Sequence, residues 1–176
     1  MKYWTLWLIL VIGLVASCKD KNETEPIKYE VPAQVEPIVE RFKEEALKRG
    51  KSLIINNLIV KLSNEPIEPS PNQFSCGITF GEITGLKQNL IQIDTQCLAW
   101  RHSEVSKEIL IFHELGHAIL LRHHDDSKLP NGDWKTIMTG QNWSIFDYYI
   151  FNPEKRNYYL DELFNPATPI PDWAKE

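Results

Sequence analysis

The chain is poor in the residues that would point it towards several common roles. Cysteine occurs three times in 176 residues, never at CxxC spacing, which excludes a thiolate zinc site of the finger kind. Methionine occurs twice, once as the initiator, so Met138 is the single internal one. Lysine and arginine number 19 against 24 acids, a net charge of −5. They form no basic cluster, so nucleic acid is not an expected partner. There is no internal repeat and no low-complexity tract, and the N-terminal apolar run, Trp4 to Val15, is too short for an ordinary spanning helix. The remainder is ordinary globular material, 43% hydrophobic, 11% aromatic and 24% charged, enough for one domain around one core.

Against that plain background stands His113-Glu114-Leu115-Gly116-His117. Residues four apart on an α-helix lie one above the other, so His113 and His117 can ligate one ion without distorting the backbone. Glu114 is turned by roughly 100° from His113 about the helix axis. From there it can reach a water on that ion as a general base without being a ligand. The segment from Glu104 to Leu121 is apolar around most of its circumference, with Val105, Ile109, Phe112, Gly116 and Ile119 along one stripe and Ser103 as N-cap. Such a helix is buried, and polar groups placed within it need partners or a metal. A zinc hydrolase is the expectation.

Two further histidines follow, His123 and His124. A straight helix would carry His124 about 10 Å along the axis beyond His117, so the chain must break near Leu121-Arg122. The string resembles the metzincin superfamily of zinc proteases, whose motif is HExxHxxGxxH. In that family the glycine lets the helix end in a left-handed turn, and the third histidine returns to the metal. Here Leu120 stands at the glycine position and His123 at the third-histidine position. A left-handed turn without glycine costs roughly 1–2 kcal/mol, so a turn one residue longer is the easier route and favours His124. The wider string, HELGHxxLxRxH followed by Asp125-Asp126, also resembles small Bacteroidetes-type lipoprotein metallopeptidases, which again implies His124, with His123 as the alternative. Asp125 or Asp126 is expected either to accept the free ring N–H of a ligand or to lie in a solvated loop.

The same resemblance gives Met138, within Thr136 to Gly140, the role of a Met-turn: an apolar floor beneath the imidazoles, with Gly140 permitting the turn. An ordinary gap-filling core methionine is the alternative. It implies an α+β fold with a mixed sheet, a long active-site helix and a C-terminal helix. The strand ahead of the metal helix, Leu90 to Asp94, would be a sheet edge that substrate joins as an added strand, unless it is interior. Tyr148, Tyr149, Tyr158 and Tyr159 are candidates for a phenol that stabilises an oxyanion, or are packing residues.

Residues 1–17 read as a signal peptide, with Lys2 as its short basic start. Val15-Ala16-Ser17-Cys18 resembles a bacterial lipobox, which makes Cys18 a lipidated N-terminus. The polar stretch 18–30 is then a tether, and 31–176 the metallopeptidase domain. The implied location is the bacterial envelope, as an outer-membrane lipoprotein facing the periplasm or the surface. Setting Cys18 aside leaves Cys76 and Cys97, either as a disulfide closing a loop of about twenty residues and worth roughly 3 kcal/mol, or as two free thiols.

Periodicity predicts a helix from Pro32 to Lys48, a strand from Leu53 to Leu62, a proline-rich loop from Glu65 to Pro71, and strands over Cys76–Phe80 and Asn89–Asp94. A last helix begins at Asn152-Pro153. The functional expectation is a monomeric zinc endopeptidase acting on peptide or protein. His113, His117 and His124 hold Zn²⁺, and Glu114 is the base. Three rivals remain: a gluzincin-type hydrolase with Glu154 or Glu162 as third ligand, a non-catalytic lipoprotein with a structural zinc, and a helical domain with no metal.

Overall fold

The computed structural model describes residues 26–71, 73–141 and 152–175. Helix α1 (Glu36–Lys48) has Pro37 in its first turn. Proline lacks an N–H and is disfavoured deeper in a helix, so the predicted start at Pro32 was too early. The residues before α1 instead form a turn, with the Val35 N–H donating to the Pro32 carbonyl at 2.8 Å. Ile38, Val39, Phe42 and Ala46 give α1 its buried face.

The main sheet holds four strands: β1 (Tyr29–Glu30), β2 (Leu58–Ser63), β5 (Gly77–Phe80) and β6 (Leu90–Asp94), in the order β1-β2-β6-β5. β1 and β6 flank β2 in parallel, and β5 runs antiparallel to β6. The sheet is therefore mixed. β2 begins later than predicted, because Asn57 spends its side chain on the Lys87 carbonyl and the Asn89 N–H. Part of the expected proline-rich loop is a strand: β3 (Ile67–Ser70) pairs with β4 (Gln73–Ser75) as a separate antiparallel ribbon.

Among the described residues there are four α-helices: α1, the short α2 (Leu98–Arg101), α3 (Glu104–Leu120) and α4 (Pro153–Phe164). Phe42 of α1 meets Phe112 of α3 edge-on at 5.2 Å and Phe164 of α4 at 5.0 Å, so three helices share one core. Leu58, Val60, Ile91 and Ile93 enter that core from the alternate positions of β2 and β6. An ion network seals its rim: Glu108 takes Arg41 and Arg156, while Glu45 takes Lys48, Arg49 and Arg156. The α+β expectation with a mixed sheet, a long central helix and a C-terminal helix describes this architecture.

One expectation about the sheet is overturned. Leu90–Asp94 is paired on both sides, to β2 and to β5, and is not an edge. Among the described strands, the edge beside Glu104–Leu120 is β5, brought there by the turn through the 3₁₀ segment Glu82–Thr84 that folds β5 back on β6. Cys76 and Cys97 form a disulfide with Cα atoms 5.4 Å apart, tying the start of this edge strand to the N-cap of α2.

Candidate metal centre

Helix α3 starts at Ser103, whose hydroxyl accepts the Ser106 N–H at 3.0 Å while the Ser103 N–H donates to Ser106 Oγ at 2.9 Å. These reciprocal bonds satisfy donors that the first turn would otherwise leave free. The helix ends at Leu121, which adopts φ 54° and ψ 32°. The Leu121 and Arg122 N–H groups both close back on the Gly116 carbonyl, the latter at 3.0 Å, and stop the helix there. The left-handed turn is thus made without glycine, by a leucine one position past the metzincin glycine site. Its strain is offset by what the turn delivers.

The Arg122 carbonyl accepts from His117 Nδ1 at 2.5 Å. Its guanidinium donates to the Glu162 and Leu163 carbonyls at the end of α4, both at 2.8 Å, and to Glu162 Oε1 at 2.7 Å. His113 Nδ1 donates likewise to the Ile137 carbonyl at 2.7 Å. A carbonyl can only accept, so both rings carry their proton on Nδ1 and present a bare Nε2.

Those bare nitrogens converge. His113 and His117 Nε2 lie 3.1 Å apart, His117 and His124 3.1 Å, and His113 and His124 3.2 Å. Ligands about 2.0–2.1 Å from a tetrahedral ion stand roughly 3.3 Å from one another, so the triangle has the size a zinc site needs. At least two unprotonated acceptors facing each other inside a helix repel, and a cation relieves that repulsion. Burial, with the neighbouring histidines adding to it, pulls His113 down to about 3, and burial likewise pulls His117 down to about 4. Both rings are therefore neutral at pH 7, the form that ligates. His113, His117 and His124 could hold a metal ion.

His123 lines the same cleft but lies outside the converging group, which takes in His124. The expected avoidance of a left-handed turn without glycine is not what brings His124 there, because Leu121 adopts one. Neither glutamate of the gluzincin alternative joins the group: Glu162 is buried against Arg122, and Glu154 is exposed at the start of α4. The two aspartates do not serve the imidazoles of His113 and His117, which use main-chain carbonyls instead. Asp125 is engaged by Ser127 and Lys135, and Asp126 accepts from Thr139, the Gly140 N–H and Gln141. Asp126 thereby braces the loop that carries Met138.

Glu114 is buried beside the triad, and burial pushes its carboxyl up to about 7 against an opposing hydrogen bond from Thr79. That bond, Thr79 Oγ1 to Glu114 Oε2 at 2.6 Å, comes from edge strand β5. Sequence reasoning missed Thr79. Its only sequence signal is alternation on β5, which puts it on the same face as Gly77.

Met138 is fully buried in a turn, and its carbonyl accepts the Asp125 N–H at 3.0 Å. Gly140 is not in the left-handed region, so freedom of turning is not its role. A Cβ there would come within 2.9 Å of His124 Nδ1, so it gives the third imidazole room. Tyr158 and Tyr159 are packing residues: their hydroxyls donate to the Lys135 and Trp134 carbonyls at 3.1 and 2.9 Å. Tyr148, Tyr149, Cys18 and the signal segment lie outside the described residues.

The site opens into a cleft of about 660 Å³, whose walls include Phe74, Gly77, Thr79, Ile83, Glu114 and His124. It combines three convergent imidazoles, an adjacent carboxyl group and space for a ligand the size of a short peptide segment. No family model matches this chain, and neither does any curated protein or solved structure.

Proposed function

We propose that the chain is a zinc-dependent endopeptidase of metzincin-like design. The observation that carries the reading is the triangle of Nε2 atoms, 3.1 to 3.2 Å on each side, sharing one cleft with the buried Glu114 carboxylate. The donor set is three imidazole nitrogens, which suits zinc with one position left open, and a zinc ion bound there would acidify a water and polarise the scissile carbonyl. Glu114 takes a proton from the attacking water and passes it to the leaving amine nitrogen, so its carboxylate is regenerated. The raised Glu114 value suits a group that must both accept and release that proton near neutral pH.

The metzincin likeness draws support from the buried Met138 turn packed against the HExxH helix and from the left-handed stop at Leu121. Edge strand β5, lining the cleft with its outer side unpaired by any strand among the described residues, takes the substrate-aligning role expected of Leu90–Asp94. The chain is anchored to the bacterial envelope through Cys18 and acts there as a monomer on peptide or protein. The Cys76–Cys97 disulfide supports an oxidising compartment.

A proteome-derived peptide library digested with the purified zinc-loaded protein tests the reading. Cleavage at a defined subset of peptide bonds, lost with chelator and restored by added zinc, is the expected result. An intact library at full zinc occupancy would retire the catalytic reading in favour of a structural zinc.

A further inference from the structure

Two residues of the edge strand face the Glu114 carboxylate, and the HExxH pattern gives neither of them a task. Gly77 and Thr79 stand two apart on β5 and so share a face. The Thr79 hydroxyl lies 2.6 Å from Glu114 Oε2 and 3.3 Å from the Glu114 main-chain carbonyl. It has one proton to give, and the shorter contact to the carboxylate takes it. At Gly77 a Cβ would collide with Glu114 Oε1 and would stand 2.8 Å from Cδ and 2.9 Å from Cγ. Gly77 is not among the glycines with positive φ, so space and not backbone freedom calls for glycine here.

The two carboxylate oxygens therefore have different surroundings. Oε2 is engaged by the strand, and Oε1 lies over a bare α-carbon at the cleft wall that Gly77, Thr79, Glu114 and the three histidines share. The neighbouring Cys76–Cys97 disulfide fixes the start of this strand. We propose that Gly77 and Thr79 are positioning residues for Glu114: together they set its side-chain orientation and reserve Oε1 as the oxygen presented to the cleft. The catalytic meaning of this seat rests on the peptidase reading, whereas the seat itself can be tested without it.

Two thermal-unfolding cycles on the zinc-loaded chain decide the seat. Gly77→Ala should lower Tm by roughly 5 °C or more, and should have little effect once Glu114→Ala has removed the obstructing carboxylate. If Gly77→Ala alone does not fold, recovery of folding in the double variant carries the same information. Thr79→Val and Glu114→Gln should likewise combine less than additively. Additive behaviour in both cycles overturns the proposal.

Kinetics on a quenched fluorogenic peptide taken from the library digest then read the positioning. Thr79→Val should lower kcat by about 10–100-fold, leave KM within about 2-fold and keep about one zinc per chain. Thr79→Ser, which retains the hydroxyl, should recover most of the rate. Equal losses in the valine and serine variants, or loss of zinc, would overturn the role of Thr79. Non-additive cycles in a protein that cleaves no peptide would uphold the seat and remove the peptidase reading alone.

Discussion

Gly116 lies against the thioether of Met138: a Cβ at position 116 would stand 2.5 Å from Sδ and 3.0 Å from Cε, with Leu163 Cδ1 at 3.2 Å. Glycine inside a helix ordinarily costs about 1 kcal/mol relative to alanine. Between His113 and His117 that cost is offset by close contact between α3 and the turn that carries Met138. The Ile137 carbonyl, next in that turn, holds His113. Packing at Gly116 and orientation of the His113 ring are therefore one arrangement.

Gly116→Ala should destabilise the domain by roughly 1–3 kcal/mol through overpacking, with zinc affinity falling alongside. Met138→Ala should cost about 2–5 kcal/mol by leaving a cavity. In urea titrations the double variant should cost less than the two single losses summed, because the new methyl enters the vacated space. Simple additivity would count against the contact.

His124→Ala should weaken zinc binding by several orders of magnitude, whereas His123→Ala should change it by less than about 10-fold. Competition with a chromophoric chelator measures both. The opposite ranking would mean that the turn at Leu121 delivers the wrong histidine.

Glu114→Gln keeps the size of the side chain and removes its basicity. Hydrolysis of any substrate peptide should fall below detection, with zinc content staying near one per chain by elemental analysis. Loss of the metal in this variant would contradict the assignment of Glu114 as a base that is not a ligand.

The ion network gives a pH prediction away from the site. Burial raises the Glu45 carboxyl, but hydrogen bonds from Lys48 and Arg49 and the charge of Arg156 outweigh it and leave the group below its ordinary value of 4.5. A depressed folded value means that its stabilisation is complete above 4.5 and is lost as pH falls through the folded value. The urea midpoint should therefore drop more steeply between about pH 5 and pH 3 in the native chain than in Glu45→Gln. Parallel profiles would remove Glu45 from the acid response.

Helix α3 with its Ser103 cap was legible in the sequence, because it follows from spacing along one segment; the places of His124 and Met138 were expected in part from the metzincin resemblance. What escaped depends on partners far away in the chain. Leu90–Asp94 is apolar and alternating whether or not a neighbour pairs it, so its place inside the sheet could not be seen from its own residues. Ile67–Ser70 carries Pro69 and reads as loop, and it becomes a strand only by pairing with Gln73–Ser75. The aspartates after His124 look like partners for imidazoles by proximity, yet the main-chain carbonyls of Ile137 and Arg122 reach two of the rings first. Gly77 and Thr79 face a residue thirty-five or more positions away, and nothing local announces that meeting.

Leu121 holds a backbone handedness that an isolated leucine resists by roughly 1–2 kcal/mol, and Arg122, clamped on the end of α4, helps keep it there. A free peptide covering residues 104–126 lacks that clamp and would tend to carry its coil past the stop. Such a fragment should offer an ion two imidazoles instead of three, so the group of His113, His117 and His124 would assemble only once the C-terminal helix has docked.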